Sequence, residues 1–573
     1  MAIEVPTADV DRMTAIRKAL RRVVSRLPER EQLLIRRATA AVRGLDWAAA
    51  VSRLRQSEAQ FIDDTVAQHR GAPGTRRVLV CLLQQLPPVA EVSYSLATAL
   101  RLRGHEVRGI LCDGILPMCE MNLGELDRPP CGVCATWASR FEAACGFSFT
   151  RLTALLSPTD LHLAEQRVAS VPDDGLTSLM IDDVPVGVLA RRELQRYHRG
   201  FVFHPERDPA YRRWLVSGAL LVTLARRLFD QEQPDVLVIS SGRTLLAACL
   251  TAVARAMGVR TVSWDLEDSH RDGLVFSHGA PAVELPLDDA WAHASSEPLS
   301  GEQREVLGRF LGRWSRSEGT PFQYNLNPQQ DPAAIKSQLG LRPDAPLIVA
   351  FANAAWDMAA VDRDVGFRSM FEWLFSVIDY ALAHPEIDLV VRAHPAEINV
   401  PSDLRSRTRV VSEIRQRYPD LPSRITLLEG NSSVSSYTLA ELAQVPMMYA
   451  TRLGLELAVR GRRAWLAGQT TYRERGFTRD VGSRREMEAL LDARTFNEVL
   501  SAGEIAQAER FAYLWFFRYV VRLPLLRPPT RKFALSTFRE LAPGGHPVVD
   551  RIAHAIVTGA PFLDLAQPFN AAP

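Results

Sequence analysis

At 573 residues, 47% hydrophobic and 23% charged, the chain has an ordinary globular composition and more length than one core accommodates, so two domains with extensions are expected. A formal net charge of +2 excludes a generally polyanionic partner, nucleic acid included. No apolar run reaches the ~18 residues of a membrane span, the opening Met-Ala-Ile-Glu-Val-Pro lacks the basic and apolar regions of a signal peptide, and seven cysteines, four of them clustered, fit a reducing cytosol better than a disulfide framework.

Residues 1–71 read as a basic helical extension. Met13, Ile16, Leu20, Val23 and Leu27 recur at helical spacing with Arg17, Lys18, Arg21, Arg22 and Arg26 between them, and residues 12–43 carry ten Lys/Arg against two Asp/Glu. Such a face either rests on an anionic membrane, placing a cytoplasmic protein peripherally at the inner face of the cell membrane, or is a solvated face whose apolar stripe packs on its own domain. Gly71-Ala-Pro-Gly74 ends the extension.

Residues 72–315 read as a first Rossmann-like domain. Strands are expected at 78–83, 106–111, 236–240 and 260–264, with helices at 92–102 and 244–257 between them; that alternation implies right-handed crossovers and a parallel sheet. The polar stretch within 316–346 reads as a linker. Residues 347–505 repeat the pattern, with strands at 347–351, 389–392, 425–428, 445–449 and 464–467, and residues 506–573 read as helices packing back across the cleft between the domains.

Chemistry concentrates in the second domain. The run Leu389 to Glu397 reads as a buried strand that delivers Arg392, His394 and Glu397 to a carboxyl edge, where open α/β sheets bind ligands; Arg392 and His394 can donate to phosphate oxygens. A second apolar run leads to Thr451, Arg452, Gly454 and Glu456 at a helix start, where a carboxylate can accept from sugar hydroxyls or simply favour the helix dipole. Arg473, Arg475, Thr478 and Asp480 surround Gly476 and suit either an anionic ligand or a solvated charged loop. Together these segments describe a site for a phosphorylated or nucleotide-linked sugar.

Residues 347–525 resemble the bacterial capsule-polysaccharide biosynthesis proteins, GT-B glycosyltransferases that include the Kdo transferases. The resemblance rests on Asn353 with Trp356-Asp357, Phe367 with Glu372-Trp373, Arg392-Ala-His-Pro-Ala-Glu397, Tyr449-Ala-Thr-Arg-Leu-Gly-Leu-Glu456, Arg473-Glu-Arg-Gly-Phe-Thr-Arg-Asp480 and the aromatic Phe511 to Arg518. It implies that His394 holds the donor's phosphate, that Glu456 holds the nucleotide ribose, that Thr451 and Arg452 contact phosphate, and that the donor is a CMP-linked acidic sugar. It also implies that the general base comes from the first domain.

Transfer to a hydroxyl needs such a base, usually a carboxylate. Strand 260–264 ends at Asp265-Leu-Glu267-Asp268, which makes Glu267 the first candidate and Asp113 the second; a helix cap is the plainer role for either, and His270 is a further candidate. Cys112-x6-Cys119-x11-Cys131-x2-Cys134 meets the count for a tetrathiolate structural zinc site, with reduced core thiols or an iron–sulfur cluster as alternatives. No Asp-x-Asp pair stands at a strand end, so neutralisation of donor phosphate is expected to need no catalytic metal. The expected activity is inverting transfer of a sugar from a nucleotide-activated donor to a surface polysaccharide or glycolipid. A teichoic-acid-type polyol-phosphate transferase and a non-catalytic scaffold in polysaccharide assembly are the alternatives.

Overall fold

The computed structural model describes residues 29–82, 89–122, 129, 131–267, 269–270, 272–315, 328–358, 360–400, 404–523, 525–527 and 532–563. Short apolar runs rich in β-branched residues become strands buried on both faces. In the first domain these are β1 (Arg77–Cys81), β2 (Glu106–Leu111), β3 (Phe149–Arg151), β4 (Val236–Ser240), β5 (Arg260–Leu266) and β6 (Gly273–His278). With β13 (Val521–Arg522) they form a sheet of order β13-β6-β5-β4-β1-β2-β3. Alternate residues of one strand feed opposite cores, as a period of two requires: Val78 and Val80 lie in one, Leu79 and Cys81 in the other.

The expected parallel arrangement holds from β3 across to β5 and ends there. Strand β6 runs antiparallel to β5, and β13 antiparallel to β6. The connection from Leu266 to Gly273 is too short for a crossover helix, so the chain can only fold back as a hairpin.

The second sheet contains β7 (Leu347–Phe351), β8 (Asp388–Arg392), β9 (Ile425–Leu428), β10 (Val445–Met448), β11 (Trp465–Leu466) and β12 (Arg479–Asp480), in the order β12-β11-β10-β7-β8-β9 with every neighbouring pair parallel. Successive strands leave β7 in one direction and β10 in the other. The crevice between the carboxyl ends of β7 and β10 is therefore the topological switch point at which such sheets bind ligands. Register places Phe351 opposite both Arg392 and Met448, and Arg392 opposite Leu428, so these four residues stand level at that edge.

Helices refine the expected boundaries. Helix α1 (Glu29–Ser57) buries Trp47 and Val51 in the first core; residues 12–28 of the basic segment lie outside the described residues. The chain joins the second core by Leu287, well before residue 315, because Trp291 and then Leu307, Phe310 and Leu311 of α3 (Gly301–Ser315) pack there. Within the expected linker, residues 316–327 lie outside the described residues, and Pro332–Leu339 is a helix capped by Asp331 that buries Ile335 in the same core. The C-terminal segment is not purely helical. Helix α6 (Ala502–Tyr513) packs on the second core and runs into a π-helical turn at Leu514–Tyr519; β13 then extends the first sheet, and α7 (Pro547–Thr558) buries Ile552 and Ile556 in the first core.

Polar contacts also join the domains. Arg191 and Arg192 donate to the Asp362 carboxylate at 2.7 and 2.8 Å, the buried Arg243 donates to the Val361 carbonyl at 2.8 Å, and the Phe201 ring lies 5.1 Å from that of Phe371.

Candidate functional site

A cavity of about 250 Å³ occupies the switch point of the second sheet. Its floor is Phe351 and Ala352 after β7, one wall is Arg392 to Pro395 after β8, and another is Ser435, Ser436 and Tyr437 at the start of α4 (Ser436–Leu442). Thr451, Arg452, Leu453 and Glu456, leading into and along α5 (Leu453–Val459), form the third wall, and Trp314 from α3 closes it. Of the residues expected at the donor site, Arg392, His394, Thr451, Arg452 and Glu456 are thus brought together.

His394 precedes Pro395 and caps a three-residue turn: its Nδ1 accepts the Ala396 N–H at 3.1 Å. Burial, reinforced by the Arg392 charge, lowers its pKa to about 4, so the ring is neutral near pH 7. With Nδ1 accepting, the ring proton sits on Nε2. His394 therefore stands at the cavity wall as a neutral ring, not as a cation.

Arg392 is 1% exposed, and its guanidinium is largely committed to backbone. It donates to the Glu429 carbonyl, to the Ser432 carbonyl at 3.3 Å and, through Nε, to Ser436 Oγ at 3.4 Å. The side chain thereby ties the end of β8 to the loop that follows β9, and holds Ser435, Ser436 and Tyr437 against the cavity. Burial lowers its pKa to about 10, which leaves it charged at neutral pH. Its first effect is on the shape and potential of the cavity.

Glu456 is 2% exposed. Its Oε1 accepts from Arg452 Nε at 3.1 Å, whereas Oε2 is buried with no hydrogen-bond partner. A buried carboxylate oxygen without a donor is costly, and a ligand hydroxyl arriving in the cavity would satisfy it. Burial and the neighbouring Glu456 charge raise the pKa of Tyr437 well above 10, keeping that hydroxyl protonated beside the carboxylate. The Arg452 guanidinium carbon lies over the Trp314 ring, 3.8 Å from its centre, and 5.4 Å from that of Phe516. Gly454 is required here for space, since a Cβ would lie 2.6 Å from the Tyr472 hydroxyl.

The remaining expected residues stand elsewhere. Glu397 is fully buried and accepts the Val410 N–H at 3.2 Å, capping the helix Val410–Arg417; burial and the nearby Glu429 raise its pKa to about 8. Arg473 is 6% exposed and serves strand ends, donating to the carbonyls of Leu466, Gly468 and Val481 at 3.1, 3.3 and 3.0 Å. Arg475 pairs with Asp288. Thr478 donates to Asp480 at 2.8 Å, and Asp480 accepts the Glu474 N–H at 2.7 Å, so these groups stabilise their own loop. None of the four lines the cavity.

In the first domain, Glu267 is 8% exposed in the β5–β6 hairpin, and its carboxylate accepts from the Ser269 N–H at 2.5 Å and from the Ser269 hydroxyl. His270 donates from Nε2 to the Phe516 carbonyl at 2.6 Å, and burial lowers its pKa. It borders a larger cavity of about 980 Å³ lined also by Arg309, Phe310, Arg313, Phe516 and Phe517. Phe310 lies 5.8 Å from Trp314, so an aromatic wall separates this cavity from the smaller one.

Asp113 has a left-handed backbone, with φ +58°, and accepts from Arg151 and Thr153 at 3.1 and 3.0 Å. It lines a third cavity, of about 50 Å³, together with Cys112, Cys119, Cys131 and Cys134. All four cysteines are reduced, and burial raises the pKa of Cys112, Cys119 and Cys131.

Sequence reasoning missed Trp314, Ser435, Ser436 and Tyr437. The serine-rich stretch Ser432-Ser-Val-Ser-Ser436 directly after a strand was a legible helix-start signal at the same edge. It also passed over the triplet Asp362-Arg-Asp364, which stands away from any strand end; Asp362 is held by Arg191 and Arg192, and Asp364 accepts from the Tyr449 hydroxyl.

Two doubly wound domains with a ligand-sized cavity at the second sheet's switch point constitute a GT-B architecture. No protein-family model and no curated protein matches the chain. Among solved structures, the chain is similar to the beta Kdo 2,4 transferase KpsC of Thermosulfurimonas dismutans, at 10% identity over 48% of this chain and 79% of that one, with a TM-score of 0.33. It is similar to the beta Kdo 2,7 transferase KpsC of the same organism at 15% identity over 53% and 83%, with a TM-score of 0.30. A UDP-GlcNAc 2-epimerase from Neisseria meningitidis bound to UDP-GlcNAc is similar at 10% identity over 76% and 98%, with a TM-score of 0.23. Likenesses this distant do not bear on substrate, which rests on this chain's own residues.

Proposed function

We propose that the protein is a glycosyltransferase that takes a sugar from a nucleotide-activated donor bound in the 250 Å³ cavity and passes it to a surface polysaccharide or glycolipid. The observation that carries this reading is a switch-point cavity whose lining brings together Glu456, with its buried Oε2 that has no hydrogen-bond partner, His394 and two serines. Ribose hydroxyls would satisfy the carboxylate. The Nε2–H of His394 and the hydroxyls of Ser435 and Ser436 would donate to phosphate, in the positive potential of Arg392. As the bond from the anomeric carbon to the phosphate oxygen breaks, the leaving nucleotide takes the electron pair, and these donors stabilise the charge that develops. The acceptor oxygen forms the new bond to that carbon and gives up its proton.

In a direct displacement, which inverts the anomeric configuration, Glu267 takes that proton; the hydrogen bonds from Ser269 orient its carboxylate. The 980 Å³ cavity beside His270, with aromatic walls and Arg309 and Arg313, suits a saccharide acceptor. Phosphate contacts of this kind need no catalytic metal. A CMP-linked acidic sugar is the donor that the sequence resemblance favours. No helix of the described residues is long and apolar enough to cross a membrane. Residues 12–43 supply a peripheral contact with anionic lipid in a cytoplasmic protein, and their deletion should lower vesicle binding while sparing turnover on a soluble acceptor.

The test is a thermal-shift screen with CMP, CDP, UDP, GDP and their sugars, on wild type and Glu456→Gln, because a ligand that binds only the folded state raises the midpoint. One nucleotide family should stabilise wild type and act weakly on the variant. No shift with any of them, or an equal shift in both proteins, overturns the reading. Phosphorus retained in the transfer product would instead identify a polyol-phosphate transferase.

A further inference from the structure

At the carboxyl edge of the first sheet, three separate segments bring thiols to one small cavity. Cys112 follows β2 directly, Cys119 precedes the turn Glu120–Asn122, and Cys131 and Cys134 stand on the first turn of α2 (Cys131–Cys145). A spacing of three puts the last two on one face of the helix. The remaining wall is mostly aliphatic, including Leu82, Leu111, Leu116, Ala138 and Leu246. The loop after β2 lies beside the helix start: a Cβ at Gly114, whose φ is +87°, would stand in ordinary van der Waals contact with Cys131 Sγ at 3.5 Å. About 50 Å³ is room for an ion and too little for a sugar or nucleotide.

We propose that Cys112, Cys119, Cys131 and Cys134 form a tetrathiolate zinc site that pins the loop after β2 to the start of α2. Among the described residues no group of three potential ligands stands close enough together to hold an ion, so loading requires the sulfurs to draw together. Each thiol loses its proton to solvent as its sulfur bonds the metal, and four sulfurs at about 2.3 Å close the coordination shell, leaving no position for water or substrate. Zinc rather than a harder cation follows from the soft ligands. The site is structural, and it is independent of donor binding in the second domain. Because unfolded thiolates are poorly arranged for the metal, its binding free energy adds to folding.

The experiment measures metal content by mass spectrometry on the full chain purified under reducing conditions, for wild type, Cys131→Ser, Cys134→Ser and the control Cys249→Ser, with melting temperature recorded for each. Wild type and the control should carry close to one zinc per chain. Each cluster variant should lose it and melt earlier. Cobalt replacement in wild type, which does not depend on any variant folding, should give the intense thiolate-to-metal absorption of a sulfur-bound tetrahedral ion. Wild type without stoichiometric metal, or full zinc retained in both cluster variants, overturns the proposal; iron with acid-labile sulfide overturns the zinc assignment. A failed nucleotide screen would leave these outcomes unchanged, so the two readings fail separately.

Discussion

At the carboxyl end of the second sheet, the cavity between β7 and β10 is walled by His394, Tyr437, Arg452 and Glu456; beside β1 and β2 of the first sheet, the corresponding edge carries four thiols and aliphatic side chains. Both lie at carboxyl edges, but only the first is at a switch point, and they differ in volume, about 250 against about 50 Å³, and in donor chemistry. Winding of a parallel sheet decides where a cavity opens, whereas side-chain size and hardness decide what it can hold. On the two proposals, one edge would take an oxygen-rich anion that comes and goes, the other a soft cation that stays.

The sharpest way to break this contrast is to mutate both edges and compare. His394→Ala should slow transfer by roughly a hundredfold or more, the usual consequence of removing one donor to a developing oxyanion. Its melting temperature without ligand should fall less than that of Cys131→Ser, because the bond from the Ala396 N–H to Nδ1 caps a turn of three residues. Cys131→Ser should do the reverse. Initial rates and melting curves on both variants check the pair.

Arg392→Lys tests whether the donor cavity is built or merely lined. An ammonium cannot span the Glu429 and Ser432 carbonyls and Ser436 Oγ at once. Loss of these charge-assisted bonds should cost about 1.5–3 kcal/mol of stability and weaken nucleotide binding as the serine wall relaxes. Urea unfolding with and without nucleotide reads both effects. Trp314→Ala is milder: it removes the surface on which Arg452 lies, worth about 0.5–2 kcal/mol, and should weaken nucleotide binding several-fold without affecting metal content.

A further effect concerns pH. Glu397 has its pKa raised to about 8 in the fold, against an ordinary value of 4.5. Between those values the unfolded chain has released the proton that the folded protein keeps. Stability from this group is therefore fully present below 4.5, falls as pH rises to about 8, and is level beyond. Glu397→Gln should flatten that slope in melting temperature measured across the window. An unchanged slope would assign it to groups other than Glu397; His394 is not one of them, because its lowered pKa acts in the opposite sense, with stability lost as pH falls below 6.5 towards 4.

Most strands of both sheets were legible in the sequence, because a strand buried on two faces is a short run of apolar residues whatever surrounds it; β3, β6, β12 and β13 were not expected. The carboxyl-edge positions of Arg392, His394 and Glu456 followed from the same runs, since chain direction sets which end of a parallel strand meets the cleft. Tertiary structure alone decided which polar groups face the cavity. Glu397 and Glu456 look alike in sequence and each keeps a buried Oε2 without a hydrogen-bond partner, yet Glu397 caps a helix away from the cavity and Glu456 lines it. Arg392 and Arg473 both read as anion binders, and both spend donors on backbone carbonyls supplied by other segments. Trp314 reaches the cavity from α3, far away in sequence. Hydrogen bonds closed between distant segments leave no local periodicity, so no window of residues could have displayed them.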